Sequence, residues 1–304
     1  VKYATGTYVA VYFGAWAAAL FLLRTLYGFE IGEALIGLVI LGLIFPALAL
    51  LATRRVSPLP HAVLRPGSET AILVAYLAVI AAVLVWGFGA VSRITAEPLH
   101  SLVLLGVKLA LFVLVPAALL LSSGRYTIRD LIPVSIDRAA LRPALWMSLA
   151  ALLMQSFLGR GLQDIRTAHL PGWVLAIATP LCFAWLLIEA GVVEEFFFRA
   201  LLQERLAVAL RSPWGGLVAA ALLFGLVHAP GFYLRPSATL ESVGPHPSLL
   251  LAIGYSIAIT SLAGVFLGVL WMRTKNFAVV ILVHAAVDLL PNLVPWIKAF
   301  HFTR

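Results

Sequence analysis

Long apolar runs, separated by short clusters rich in Arg, Gly and Pro, set the pattern of this chain. Nine runs can be drawn, at residues 7–28, 31–52, 70–91, 100–122, 143–158, 172–198, 214–234, 248–271 and 277–297. Crossing the hydrocarbon of a bilayer takes about 20 predominantly apolar residues in helical form. The runs have that length and that character. The fifth is shorter and carries Gln155 and Ser156, which suits a partly interfacial helix. The pattern therefore predicts an all-α, polytopic transmembrane bundle of eight or nine spans.

Composition agrees. Of the 304 residues, 62% are hydrophobic and 11% charged, against 45–50% and about 25% in soluble domains; mean hydropathy is +1.04. Residues 7–29 are too long for a signal-peptide core and lack a small-residue cleavage site, so they read as an uncleaved span. The net charge of +8 comes from basic residues in short connections between apolar runs. Such residues signal membrane topology and meet anionic lipid, so nucleic-acid binding is the weaker reading. Counting alternate connections, one side collects Lys2, Arg54, Arg55, Arg65, Arg125, Arg129, Arg138, Arg142, Arg199, Arg205, Arg211, Arg273 and Lys275. The other side has Arg24, Arg93, Arg160, Arg166, Arg235, Lys298 and Arg304. The bias of 13 to 7 places the N-terminus in the cytoplasm and the C-terminus outside. The single cysteine, Cys182, lies in an apolar run and reads as a small buried hydrophobe.

Two connections stand out. Residues 124–143, GRYTIRDLIPVSIDRAALRP, mix charge with apolar positions and read as a cytoplasmic linker lying on the membrane surface. They divide N-terminal helices of no assigned role, 1–123, from residues 144–304, where the unusual polar residues concentrate. Residues 230–248 form a long Pro-rich connection, a type that is more often functional than idle. Gly264 and Gly268 form a GxxxG step, which signals close helix packing.

Ionisable side chains inside the hydrocarbon are costly and mark function. The candidates are Lys108, Glu189, Glu194, Glu195, Arg199, His228, His284 and Asp288. Lys108, near the start of its span, can snorkel; Glu189 can face a wet cavity or pair with an arginine. The rest fall into three groups. Glu195 and Arg199 stand at i and i+4, a spacing suited to an ion pair that holds helix geometry. Glu194 projects about 100° away. Phe224 precedes His228 by one turn, and His284 and Asp288 again share a helix face. A turn at Arg211-Ser212-Pro213 brings Glu194 and His228 level, about 25 Å along each helix. His284 is only about 13 Å from the end of its span, so the sixth and seventh helices should extend about two turns into the cytoplasm. A carboxylate and an imidazole can deprotonate a shared water as it attacks a carbonyl. A further donor can stabilise the oxyanion that develops. Together these groups could hydrolyse a peptide bond without a Ser or Cys nucleophile.

The stretches Glu194-Glu195-Phe-Phe-Phe-Arg199, Phe224-Gly-Leu-Val-His228 and His284-Ala-Ala-Val-Asp288 resemble the EExxxR, FxxxH and HxxxN/D motifs of the CAAX protease and bacteriocin-processing family, the glutamate-type intramembrane proteases. The resemblance covers roughly residues 145–297 and implies an intramembrane endopeptidase acting on a membrane-associated or lipid-anchored protein or peptide. It implies that Glu194 and His228 activate the water, that His284 and Asp288 stabilise the oxyanion, and that no cofactor or metal is needed. Glu195, Arg199 and Phe224 take supporting positions. The chain departs from the prenyl-protein endopeptidases at Asp288, where they carry Asn; an ionised Asp cannot donate to an oxyanion. Its richness in Ala, Leu, Arg and Gly suits a bacterial cytoplasmic membrane.

Three rivals have specific signatures. Glu and His can ligate zinc or manganese, although no HExxH is present. A degenerate relative could bind a peptide, as in bacteriocin immunity, without cleaving it. Buried Glu and His also build proton relays in transporters, which tend to show paired repeats or broken helices; the sequence has no such repeat.

Overall fold

The computed structural model describes residues 2–91, 93–234 and 247–302, without the side chains of residues 2–4, 88 and 89. Most of the Pro-rich connection at 230–248 lies outside the described residues, as does Arg304. No strand occurs among the described residues, as expected where backbone groups must be satisfied within each segment. Among the described residues, nine helices are long and apolar enough to cross a membrane: Thr5–Tyr27, Ile31–Ala52, Pro66–Gly87, Leu99–Leu121, Arg138–Leu158, Gly172–Ala209, Pro213–Leu234, Leu249–Thr274 and Phe277–Ala299. The all-α polytopic bundle read from the sequence is the fold observed.

Two boundaries move, each for a local reason. The fifth helix starts at Arg138, five residues before the apolar run, because Asp137 caps it: its carboxylate accepts from the Ala140 N–H at 2.8 Å. The sixth helix continues past the apolar run to Ala209, giving 38 residues and roughly 57 Å at the α-helical rise. Its polar continuation is held by partners. The Gln203 amide donates to the Gly268 carbonyl (2.9 Å), Trp271 Nε1 donates to Glu204 (2.9 Å), and Arg205 pairs with Glu69 (2.8 Å). Arg199 and Arg205 are thus buried within a helix and do not act as connection charges. The basic count on their side falls by these two, from thirteen to eleven.

The chain forms two compact units that alternate along the sequence. The first comprises residues 1–51, 62–89 and 201–272. Here Trp16 Nε1 donates to the Ala258 carbonyl (2.9 Å), Tyr12 and Ser261 share a hydrogen bond (2.8 Å), and Phe45 meets Phe266 edge-on. The glycine step works as its sequence suggests. A Cβ at Gly264 would fall 2.9 Å from Ala221 Cα, and one at Gly268 would fall 3.1 Å from the Gln203 side-chain oxygen Oε1. At Gly264, where the neighbour is backbone, glycine permits the close approach of the eighth helix.

The second unit comprises residues 52–61, 90–200 and 273–304. Its core joins the sixth and ninth helices through two stripes of period four. Val174, Ala178, Cys182 and Leu186 face Ala285, Leu289, Leu293 and Ile297, all buried. Ridges at i±4 on both helices interdigitate in this way. Cys182 is wholly buried there, as a small hydrophobe should be.

Candidate active site

The sixth and ninth helices carry the charged groups of the second unit, and their close approach has a visible cause. At Gly191 a Cβ would meet the Ile281 carbonyl oxygen at 3.0 Å and the Ile281 Cβ at 3.1 Å. Glu194 and Glu195 lie about one turn beyond Gly191, and His284 about one turn beyond Ile281. Phe196 against Phe277 makes a second contact between the same helices. Two wide, π-helical turns, Leu187–Val192 and Phe196–Gln203, flank the short α segment Val193–Glu195. Such turns occur often where a helix presents functional groups.

Glu195 joins two partners. One carboxylate oxygen lies 3.2 Å from Arg199 Nε, the i, i+4 pair read from the sequence. The other accepts from His284 Nδ1 at 2.8 Å. A carboxylate supplies only acceptors, so Nδ1 carries the proton and the ring is fixed in orientation. Nε2 of His284 then faces Asp288 Oδ2 at 3.5 Å and Glu194 Oε2 at 3.9 Å. The two neighbouring glutamates differ in access: the Glu195 side chain is 0% exposed, that of Glu194 15%, and that of Asp288 32%. Glu195 and Arg199 are sealed, whereas Glu194 and Asp288 border the space beside His284.

The structure thus brings together five of the seven site residues named from the sequence: Glu194, Glu195, Arg199, His284 and Asp288. Phe224 and His228 belong to the other unit, on the seventh helix. There His228 Nδ1 donates to the Phe224 carbonyl at 2.7 Å, and its ring packs against Phe224 and Phe232. That bond places the proton on Nδ1 and leaves the lone pair of the neutral ring on Nε2. Gly225 positions this turn: a Cβ there would fall 2.6 Å from the Ser256 carbonyl oxygen.

Two features escaped the sequence. Glu195 reaches His284 as well as Arg199; the adjacent Glu-Glu pair beside a single Arg was the available signal. Lys108 does not simply snorkel. It forms an ion pair with Glu189, joining the fourth helix to the sixth, and the signal was one unmatched charge of each sign in two apolar runs. The aromatic run Phe196, Phe197 and Phe198, which by its sequence could face lipid or pack in the core, is buried, with Phe112 set against the last two.

Among the described residues no three His, Cys, Asp or Glu side chains are arranged to hold a metal ion. No curated protein and no solved structure matches the chain. The family comparison does find a match, over the stretch that contains all three motifs. Residues 172–290 of this membrane protein match the Rce1-like family, described as type II CAAX prenyl endopeptidase Rce1-like.

Proposed function

We propose that this protein is an intramembrane endopeptidase that hydrolyses a peptide bond in a membrane-associated or lipid-anchored protein or peptide. The observation that carries the reading is the carboxylate–imidazole cluster of Glu194, Glu195, His284 and Asp288, held between two apolar helices inside the family-matched segment. Glu194, the more accessible of the adjacent glutamates, accepts a proton from the attacking water. His228, with its lone pair on Nε2, is its partner; that pairing rests on motif order and on the equal spacing of the two residues from the turn after Leu210. Full burial, with 0% of its side chain exposed, suits Glu195 to holding His284 and Arg199 in place.

With Nδ1–H held by Glu195, His284 donates to the developing oxyanion through Nε2–H as the doubly protonated ring. In this reading Asp288 orients Nε2 of His284 and does not itself donate, which reconciles its carboxylate with the Asn of the prenyl-protein endopeptidases. The step needs no metal. Water adds to the carbonyl as its proton passes to Glu194, and that proton then goes to the leaving amine as the C–N bond breaks.

The test compares membrane proteomes of cells carrying the native protein or Glu194→Ala, scored for a protein whose terminus shifts. Purified enzyme and the substrate so found should then show at least about a hundredfold loss of cleavage in Glu194→Ala, with unchanged thermal unfolding. Full cleavage by the variant would refute the assignment. Cleavage should persist after chelator treatment; loss restored by zinc or manganese would replace it with the metal-dependent reading.

A further inference from the structure

The connection between the fourth and fifth helices has an inner face that is fully engaged and an outer face that is not. Inward, Leu131, Pro133 and Tyr126 are buried. The Asn276 amide donates to the Ser135 carbonyl at 2.7 Å, and the Phe277 N–H donates to the Pro133 carbonyl at 2.9 Å. The same Asn276 caps the ninth helix through the Ala278 N–H. The connection is therefore an ordered strap, fastened to the start of the helix that bears His284.

Outward, Ile128 (65% exposed), Val134 (52%) and Ile136 (73%) project away from the protein. Interspersed with them are four exposed arginines, Arg125, Arg129, Arg138 and Arg142. The segment has two acids, and both are engaged locally. Asp130 closes a capping box with Thr127, and Asp137 accepts from Ser135 and from the Ala140 N–H. These hydrogen bonds hold both carboxyls below their usual range, so both are ionised and occupied at neutral pH. Exposed Arg54 and Arg55 belong to the neighbouring segment 52–61, whose Leu59 N–H donates to the Thr274 carbonyl at the end of the eighth helix, just before the turn into the ninth.

Topology fixes where this surface lies. The strap joins the end of one membrane helix to the start of the next, so it sits at one membrane face. Trp146, 57% exposed and one turn beyond Arg142, marks the level where aromatic side chains meet headgroups. Apolar side chains interleaved with arginine at this level match an interfacial element that inserts its apolar positions and pairs its cations with phosphate.

We propose that residues 122–142 form a docking face for anionic lipid headgroups, with Ile128, Val134 and Ile136 in the interfacial layer and Arg125, Arg129, Arg138 and Arg142 on the phosphates. The inference concerns lipid and stands whether or not the protein cleaves peptides.

The full chain carrying Ile136→Cys is labelled with an environment-sensitive fluorophore and placed in phosphatidylcholine nanodiscs containing increasing phosphatidylglycerol. The native Cys182 is wholly buried and stays unlabelled. Emission should shift to the blue, and quenching by spin-labelled lipid should rise, as phosphatidylglycerol increases. Each Arg→Gln change should raise the phosphatidylglycerol fraction needed, with about a fivefold loss of preference per arginine. In the unmutated strap, 0.5 M NaCl should flatten the response, which supplies a reading even if the arginine variants insert poorly. A probe quenched equally by iodide at every lipid composition would overturn the proposal. So would a blue shift as large in pure phosphatidylcholine as in phosphatidylglycerol, since that would be apolar seating without headgroup recognition.

Discussion

His284 is held by one carboxylate and faces two others, and each neighbour should fail differently when changed. Glu195→Ala leaves the buried Arg199 without its carboxylate and His284 without its Nδ1 acceptor. Breaking one side of a buried pair costs about 3–5 kcal/mol. The variant should therefore unfold at markedly lower temperature in detergent, as read by a thermal-shift assay, and lose cleavage with it. Glu194→Ala should lose cleavage alone. Asp288 gives a second contrast. Asp288→Asn retains a polar group 3.5 Å from Nε2 and can also donate, so cleavage should remain within about tenfold of native. Asp288→Ala should lower the rate about 10²- to 10³-fold. Equal loss in both variants would show that the negative charge itself is required.

Within the elements, the fourth and sixth helices are joined inside the membrane by Lys108 and Glu189, whose side chains are 20% and 21% exposed. An unpaired charge at that depth is costly. Lys108→Met and Glu189→Met should each destabilise the protein by about 3 kcal/mol, and the double variant should lose less than either single one. Thermal unfolding of all four proteins in one double-mutant cycle measures this. Additive losses would mean that the two residues act independently. The pair also shows what sequence could and could not supply. The apolar runs were readable because the bilayer demands one length and one backbone solution. The i, i+4 pairs were readable because one helix fixes their spacing. Lys108 and Glu189, 81 positions apart, meet only through packing. The polar stretch Gln203-Glu204-Arg205 looked like an exposed helix end because its partners Gly268, Trp271 and Glu69 lie far away in the chain.

At the scale of the molecule, the nine apolar helices among the described residues predict that successive connections alternate between the two faces of the membrane. Positive charge favours the cytoplasm for the connection after the fourth helix, even with Arg199 and Arg205 withdrawn from the count. Ser123→Cys should then resist an impermeant maleimide in intact cells, and His169→Cys, after the fifth helix, should react. The wholly buried Cys182 keeps the background low. The reverse pattern would invert the orientation, and labelling of both would break the alternation. The family match, at residues 172–290, leaves the first helices without a role of their own. In the structure the third helix supplies Glu69 to Arg205, and the first contributes Tyr12 and Trp16 to the eighth.

The wide turn at Leu187–Val192 has a consequence for how the chain compares with its relatives. A π turn accommodates one residue more than an α turn while the helix on either side keeps its direction. Removing one position there would let the α repeat close without turning Glu194 away. Chains that share the three motifs but are one residue shorter between Leu186 and Glu194 can carry the same helix. A one-residue gap at this point in an alignment would mark a bulge gained or lost, with the reading frame of the motifs intact.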